Sequence, residues 1–542
     1  MRILAKPWLT KGLPALAFGL GTVMVAGSVR AQDEDMVFGD DDGFVFEEEE
    51  VMEVTAPSTS AARYLQDGIT YYEAEDFLAA SGFFWRVVND PDISVDSIRP
   101  RAQFELAKTL VRMRLLQGAL LFFDEIILEG PGHPYFEASA EWMIVIARRL
   151  PGDAEMLRRI SNFADLFPDR VEEKYRDELA YYLGEHYFNI GEREQALQYL
   201  SFVTSVSDFY TQAQFLAGIT HVRLGQAREA ITKFEMVMDL TRRGDGESRR
   251  LNELAQLSLA RTYYGAGDFE RAEELYSQIP RNSEYWLDSL FESSWAFYQS
   301  EQFNRALGNL HSLNSPFFND EYYPEAPVLQ AVILFYNCRW REVAGVIEEF
   351  DFTFGPLLDQ LRATMGGLAD DQAYYNFLRE SAEQQGGRRF DPRLQQIVGV
   401  TLDVRSIRQA VAFIDELDRE MGYIQNEDAG WAQSDLGQFL YNEVLATRDF
   451  AVAEAGALVR GRLSGILEEL ERHDRSMTSV EVETQLAEAD QISPELRAEL
   501  FRGESIDDVS TASSEYMVWT FDGEYWKDEL GYYYYHVNSR CE

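Results

Sequence analysis

Apolar and polar residues recur with helical spacing through most of the chain. Between Tyr64 and Phe350 one pattern returns: a small residue, an aromatic or aliphatic residue three positions later, an Ala nine beyond that, and a large apolar residue four further on. Spacings of three and four place side chains on one face of an α-helix. Each copy therefore predicts two short amphipathic helices.

The copies follow one another at a nearly constant distance. YLGEHYFNIGEREQALQYL carries the pattern on Gly184, Tyr187, Ala196 and Leu200. The other copies are Gly68, Tyr71, Ala80 and Phe84; Ala107, Leu110, Ala119 and Phe123; Gly218, His221, Ala230 and Phe234; Ala260, Tyr263, Ala272 and Tyr276; Ser294, Phe297, Ala306 and Leu310; and, more weakly, Ala331, Leu334, Val343 and Ile347. Positions 184 and 218 are 34 residues apart, as are 260 and 294. The wider gap after Ala107 predicts one divergent copy over 134–170.

The pattern and its 34-residue period resemble those of the tetratricopeptide repeat (TPR) family. The resemblance covers residues 61–357 and implies an all-α fold, a right-handed α-solenoid of about eight repeats. Physical reasoning agrees, because a single helix pair cannot bury its apolar face and must stack on its neighbours. A generic helical bundle is the alternative.

In the family, the first helix of each repeat presents an inner face that binds other proteins. The corresponding residues of this chain are mostly aromatic: Tyr181, Glu185, Phe188, Phe215, Tyr264, Phe291, Trp295, Tyr298, Phe335 and Tyr336. They lack the Lys and Asn arrangement with which chaperone-type members hold a terminal carboxylate. The resemblance therefore implies an apolar protein-binding groove, while any one of these rings could instead belong to the core.

Beyond the repeats, residues 358–500 keep helical periodicity without the 34-residue rhythm. Their apolar positions predict two long helices, about 404–423 and 434–474, forming a hairpin of coiled-coil character. Such a hairpin could form a homodimer or pack on the repeats, and the pattern does not choose.

Residues 501–542 form an aromatic C-terminal cap or tail that contains Trp519, Trp526 and four consecutive tyrosines, Tyr532 to Tyr535. Its FDGEYWKDELGYY stretch resembles the ending of exported repeat proteins of deltaproteobacterial type, including relatives of envelope and gliding-motility components. Exposed apolar surface on both groove and tail predicts that the tail folds back near Trp295, Tyr298, Phe335 and Tyr336. It would be a permanent cap or a self-ligand that a partner displaces.

The two cysteines, Cys338 and Cys541, lie in a later repeat and next to the last residue. A disulfide between them and a pair of separate thiols are equally compatible with the sequence. Two cysteines exclude a disulfide framework and a four-cysteine zinc site.

The N-terminus is typical of an exported protein. Residues 1–31 carry Arg2, Lys6 and Lys11, then an uncharged apolar stretch from Leu13 to Val29, as in a signal peptide cleaved near Ala31. An uncleaved anchor is the alternative, although the stretch is short for a spanning helix. The mature chain would begin at Gln32 in the periplasm and would not be an integral membrane protein. Residues 32–60 form an acidic leader that we expect to be disordered.

Composition narrows the function. The net charge of -44 opposes nucleic-acid binding, and the six histidines are scattered. Without a catalytic motif, we expect no catalytic residues, no metal site and no cofactor. The sequence indicates a non-catalytic periplasmic scaffold that binds envelope proteins or peptides and helps assemble a multiprotein complex. The alternatives are a peptidoglycan-remodelling enzyme or accessory factor, and a structural homodimer.

Overall fold

The computed structural model describes residues 60–89, 98–147, 149–150, 160–161, 173–244, 246–318, 321–383, 404–426, 428–491 and 524–541, with isolated positions between 394 and 401. The predicted signal peptide and the acidic leader lie outside these residues, apart from Ser60. Every regular element among the described residues is helical. The fold is therefore all-α, as predicted.

Helices of the repeat region come in order as pairs, except that α5 has no second helix among the described residues. They are α1 (Ser60–Glu73), α2 (Phe77–Asn89), α3 (Arg99–Arg112), α4 (Leu116–Glu129), α5 (Phe136–Ala147), α6 (Glu173–Asn189), α7 (Arg193–Leu200), α8 (Tyr210–Arg223), α9 (Ala227–Thr241), α10 (Gly246–Gly265), α11 (Phe269–Ser277), α12 (Trp286–Gln299), α13 (Phe303–Leu313), a 3-10 turn at Pro316–Phe318, α14 (Glu325–Tyr336) and α15 (Trp340–Gly366). The C-terminal helices are α16 (Asp371–Glu383), α17 (Arg405–Asn426), α18 (Ala429–Ala432) and α19 (Asp435–Gln491).

The turn between the two helices of a pair has one conformation throughout. In the α12–α13 pair, Glu301 has a φ of 59°, and its N–H donates to the Tyr298 carbonyl at 3.1 Å while the Gln302 N–H donates to Phe297 at 2.8 Å. This pair of hydrogen bonds is the Schellman motif, in which a helix ends on a residue in the left-handed conformation. The left-handed residues of the matching turns are Glu75, Arg114, Gly191, Gly225, Gly267, Glu301 and Cys338.

The sequence pattern and these turns coincide residue for residue. In every matching turn the longer bond ends on the carbonyl of the pattern's second residue: Tyr71, Leu110, Tyr187, His221, Tyr263, Phe297 and Leu334. The third residue, Ala or Val, begins the next helix by donating to the carbonyl four positions before it. The helix pairs are thus equivalent units, and the predicted TPR-like repeat is confirmed by its hydrogen bonds.

Small and large residues of the pattern meet inside each pair. A Cβ on Gly184 would lie 2.6 Å from Leu200, and one on Gly68 would lie 2.5 Å from Phe84. Phe84 is fully buried and Leu200 is 1% exposed. The small residue therefore sets how closely the two helices approach, because an added methyl group would overlap a fixed neighbour.

The chain divides into two compact units that are discontinuous in sequence. The first combines Met1–Lys233, Asp370–Asn376 and Leu402–Val459, and the second combines Phe234–Ala369, Phe377–Thr401 and Arg460–Glu542. Three of the boundaries fall inside helices, namely within α9, α16 and α19.

In the first unit the C-terminal helices pack on the second helices of the first two repeats. The Trp431 indole donates to the Ser81 hydroxyl at 3.0 Å, and the rings of Trp85 and Phe439 lie 5.0 Å apart. The buried Glu420 carboxylate accepts the N–H groups of Gln117 and Gly118 at the start of α4, at 2.9 and 2.8 Å. Packing on the repeats, one of the two alternatives for this region, is therefore present.

In the second unit the later part of α19 lies beside α14 and α15. Arg362 of α15 bonds Glu471 of α19 at 2.9 Å, and Leu470 and Met477 are each 1% exposed. The sequence predicted an end at 474, yet the buried stripe continues through Val480 and Thr484, which explains the extension to Gln491. Likewise α17 ends at Asn426, three residues later than predicted.

Helix α15 continues through Gly355 and Pro356, where the repeat rhythm ends, and reaches Gly366. Within the described residues, no helix combines the length and apolar character that crossing a bilayer demands.

Candidate interaction surface

The predicted groove residues of the first unit lie on α6 and α8. Tyr181, Glu185 and Phe188 are half-buried, whereas Phe215 is buried. The Tyr181 ring packs on Phe209, with centroids 5.3 Å apart. In this part of the predicted set, α6 therefore offers partly exposed side chains, whereas the α8 residue Phe215 belongs to the core.

The second unit places three of the predicted tyrosines at the ends of successive first helices. Tyr264, Tyr298 and Tyr336 stand near the ends of α10, α12 and α14, the first helices of three successive pairs; we call them the tyrosine row. The rings of Tyr298 and Tyr336 lie 6.4 Å apart, and the hydroxyls of Tyr336 and Tyr264 are close enough to influence that of Tyr298 electrostatically. Tyr336 is 37% exposed, and the other two are half-buried.

The hydroxyls of Tyr264 and Tyr298 stay protonated over a wide pH range. Burial raises the pKa of Tyr264 to about 12, and burial together with the neighbouring Tyr336 hydroxyl raises the pKa of Tyr298 further. A neutral hydroxyl both donates and accepts, so the row can offer hydrogen bonds beside apolar ring surface.

The remaining predicted aromatic residues support this row. Trp295 is only 7% exposed and meets Tyr298 edge to face at 5.7 Å. Phe291 packs on Tyr323 at 5.5 Å, and Phe335 meets Trp340 at 5.3 Å. Trp295 therefore belongs mainly to the core, while Phe335 borders the row through Tyr336, with ring centroids 6.1 Å apart.

A buried charged network lies on the same helices. Arg261 of α10 binds both carboxylate oxygens of Glu292 of α12, with Nε at 3.0 and 2.9 Å, and the Tyr276 hydroxyl donates to the same carboxylate at 3.0 Å. The carboxylate keeps Arg261 charged by raising its pKa against the effect of burial. Sequence reasoning missed this pair, although a charged residue inside an otherwise apolar stripe was a signal for it.

Asp288 extends the network to the next repeat. It accepts the Tyr323 hydroxyl at 2.9 Å. Burial, and then the negative charge of Glu292, raise the pKa of Asp288 to about 6, while Arg261 opposes the change. Directional bonds thus join α10 to α12, and α12 to the segment that immediately precedes α14.

The long helix α19 covers the start of α14. Burial raises the pKa of Glu325, with His473 favouring its charged form and Glu469 opposing it. No local sequence signal could reveal this neighbour, because residues 325 and 473 are far apart in the chain. The buried carboxyl of Glu325, at the start of α14, therefore lies close to charged residues of the protein's own helix α19.

The C-terminal tail does fold back within the second unit, as predicted, but not onto the expected rings. It lies along α13, the second helix of its pair, where the Tyr535 N–H donates to the Asn304 carbonyl at 3.1 Å. Cys541 forms a disulfide with Cys338, beside Tyr336. None of the described contacts of residues 524–541 involves the side chains of Trp295, Tyr298 or Phe335. Those rings already pack on one another.

Metal-binding geometry is also defined for the described part of the chain. Among those residues, no group of three or more His, Cys, Asp or Glu side chains is arranged to hold a metal ion. In a cleft lined by Glu270, Glu273 and Glu274, the Glu273 carboxylate is already bonded within the protein, since it accepts from Ser300 at 2.7 Å and from Gln302 at 2.9 Å.

Comparison with known proteins gives low similarity throughout. No family model matches the sequence, and no curated protein matches it. Among solved structures, a tetratricopeptide repeat protein from Parabacteroides merdae is 13% identical, with 54% of this chain and 93% of that one covered and a TM-score of 0.24. The apo form of RapI is 11% identical (72% and 97% covered, TM-score 0.33). The TPR domain of P58(IPK) is 12% identical (72% and 98% covered, TM-score 0.19). With TM-scores this low, the repeat assignment rests on the turns and burial described above.

Proposed function

We propose that this protein is a non-catalytic scaffold of the cell envelope, which binds proteins or peptides through the tyrosine row and so helps assemble a multiprotein complex. The observation that carries the proposal is that Tyr264, Tyr298 and Tyr336 stand near the ends of the first helices of three successive repeats, with the rings of Tyr298 and Tyr336 6.4 Å apart. Repeat proteins of this kind use extended surfaces formed by successive units to bind partners.

The chemistry of the row suits protein recognition. Tyrosine contributes a large contact area with few rotatable bonds, and its hydroxyl pairs with backbone groups of a partner. The bonded network of Arg261, Glu292 and Asp288 holds the supporting helices in place, which reduces the entropy lost on binding.

Site-specific photocrosslinking tests this surface. A photoreactive phenylalanine analogue at position 336 should give discrete heavier adducts in cells of the source organism. The same analogue at Phe352, which is 78% exposed in the same unit, is the matched control. Adducts from position 336 should disappear when Tyr264→Ala and Tyr298→Ala are added, provided that circular dichroism shows an unchanged fold. Equal adducts from both positions would remove the support for the row.

We propose further that the chain is exported and processed to begin at Gln32, since residues 1–31 have the three parts of a signal peptide. N-terminal sequencing of protein released from the periplasm tests this directly. Full-length chain in the membrane fraction would contradict the proposal. A zymogram on purified peptidoglycan tests the non-catalytic assignment, because cleared bands would mean an enzyme.

A further inference from the structure

The tail and helix α13 form a second, independent recognition geometry. Residues 532–538 alternate between exposed and half-buried side chains, although they form no strand. Tyr532 and Tyr534 are 76% and 57% exposed, whereas Tyr533 and Tyr535 lie between them on the covered side. A period of two is that of an extended peptide, so the tail presents alternate residues to α13.

A single glycine lets the tail backbone reach the helix. A Cβ on Gly308 of α13 would lie 1.9 Å from the Tyr533 carbonyl oxygen, and the described atoms near it belong to Tyr533 and Tyr534. Glycine is unfavourable inside a helix by about 1 kcal/mol relative to alanine. At this position it serves the contact with the tail.

Polar groups of α13 fix the register of the extended segment. The Asn304 side chain accepts the Val537 N–H at 2.9 Å and donates to the Tyr534 hydroxyl at 3.1 Å. The Ser312 hydroxyl accepts the Gly531 N–H at 2.8 Å. The bonds from the Val537 and Gly531 N–H groups, one near each end of α13, recognise backbone groups and therefore extended conformation, whereas the bond to the Tyr534 hydroxyl recognises a side chain.

Inward-facing side chains of the tail pack against the ring of His311. Its ring stacks on Tyr525 at 4.8 Å and meets Tyr533 edge to face at 4.9 Å. Burial lowers the pKa of His311, which favours the neutral ring at neutral pH. We call Asn304, Gly308, His311 and Ser312 the α13 strip.

We propose that the α13 strip is a binding site for extended peptides with inward-facing aromatic residues at alternate positions, and that the tail is its resident ligand. The chemical class of the ligand is a Gly-x-Tyr-x-Tyr segment in extended conformation, such as residues 531–535. The site is separate from the tyrosine row, because it lies on the second helix of its pair.

The disulfide decides whether another peptide can enter. While Cys541 is bonded to Cys338, the tail stays attached to the turn that follows α14. A dithiol reductant that transfers two electrons and two protons leaves two cysteine thiols and is itself oxidised to a disulfide. The tail is then connected covalently only through the chain that precedes it, and a partner peptide can compete with it for the strip.

The test uses the full chain with an opened strip. Tyr533→Ser, Tyr535→Ser and Cys541→Ser together remove the inward anchors of the tail while leaving α13 intact. A fluorescent peptide of residues 524–541 carrying Cys541→Ser should bind this variant and should not bind the oxidised wild-type chain. Adding a dithiol to the wild-type chain should increase binding of the peptide.

Matched controls distinguish specific recognition of the peptide from nonspecific binding. A peptide with Tyr533→Ser and Tyr535→Ser should bind at least about tenfold more weakly, while one with His536→Ser and Asn538→Ser, both exposed positions of the same segment, should lose no more than about threefold. Adding Gly308→Ala to the opened chain should abolish binding without lowering thermal stability, because alanine suits a helix interior. Equal binding of the two peptides, binding that survives Gly308→Ala, or no binding to the folded opened chain would each overturn the proposal. None of these outcomes depends on the tyrosine row.

Discussion

Glycine at the first pattern position is explained by contact rather than by backbone freedom. Gly68 and Gly184 lie within helices and face Phe84 and Leu200 so closely that no side chain fits. The 16-residue distance between these partners in the sequence is the distance from one helix face, around the turn, to the other.

Substituting alanine at Gly68 or Gly184 should destabilise the protein. Overpacking of this kind costs about 1–3 kcal/mol. The matched control is Gly82→Ala or Gly345→Ala, because these helical glycines have no neighbour within 4 Å of the added methyl group. Urea unfolding should show lower midpoints for the first pair and unchanged or higher midpoints for the controls.

Glu420 should make the stability of the first unit depend on pH. Burial raises its pKa from 4.5 to about 7, although the backbone N–H groups of Gln117 and Gly118 oppose the shift. Between those two values the folded chain holds a proton that the unfolded chain releases, so stability falls as pH rises through this window.

The variant Glu420→Gln replaces the titrating carboxyl with an amide that keeps the same charge at every pH tested. The difference in urea midpoint between pH 5 and pH 8 should therefore be smaller than in the wild-type chain. Glu443→Gln, an exposed position on α19, is the control and should leave the difference unchanged. An unchanged difference in Glu420→Gln would show that the carboxyl is ionised throughout.

At the scale of elements, adjacent repeats are joined by buried ionic contacts as well as by apolar packing. Glu292 of α12 is 4% exposed and holds both Arg261 of α10 and the Tyr276 hydroxyl. Such a pair specifies which faces meet, since either charge alone would be buried without compensation.

Removing one member of this pair should be costly. Glu292→Ala leaves Arg261 buried and uncompensated, and we expect a loss of about 3–5 kcal/mol in the free energy of unfolding. The double variant Arg261→Met and Glu292→Met should recover much of that loss, because neither charge remains. Denaturant unfolding of the three variants measures both effects, and an additive double variant would mean that the two residues do not interact.

Local patterns predicted the elements better than their partners. The repeat copies, the helix pairs and the hairpin helices follow from spacing within 20 to 40 residues, which is how far the pattern of small and large residues extends. The contacts of Glu420 with Gln117 and of Glu325 with His473 could not be predicted. They join segments that share no periodicity, and acidic residues are too common in this chain to mark them.

The aromatic residues of the candidate site show the same limit of prediction from local sequence patterns. Their helical phase placed Tyr264, Tyr298 and Tyr336 on one face, but phase alone did not separate them from Trp295, which is buried. The tail was expected on exposed rings because both surfaces are apolar. Its position on α13 depends instead on Gly308 and Asn304, whose backbone contacts carry no hydrophobic signal.

For the whole molecule, the disulfide should be a large contribution to stability. Cys338 and Cys541 are separated by 203 residues, and on the chain-entropy model a loop of that length contributes about 5 kcal/mol. Cys338→Ser with Cys541→Ser should lower the urea midpoint accordingly, and reduction of the wild-type chain should reproduce the effect. Mass spectrometry of unreduced peptides checks the bond, and two alkylated thiols would show that it is absent.

The contact between Glu420 and Gly118 also has a consequence for biosynthesis. The two residues are 302 positions apart, so a ribosome that adds 5–20 residues per second needs roughly 15–60 s to make the second after the first. During that time Ser81 and Trp85 lack Trp431 and Phe439, the residues that cover them in the finished protein. The nascent chain therefore emerges with an incomplete first unit, and a holding chaperone would protect it until Val459 has been added.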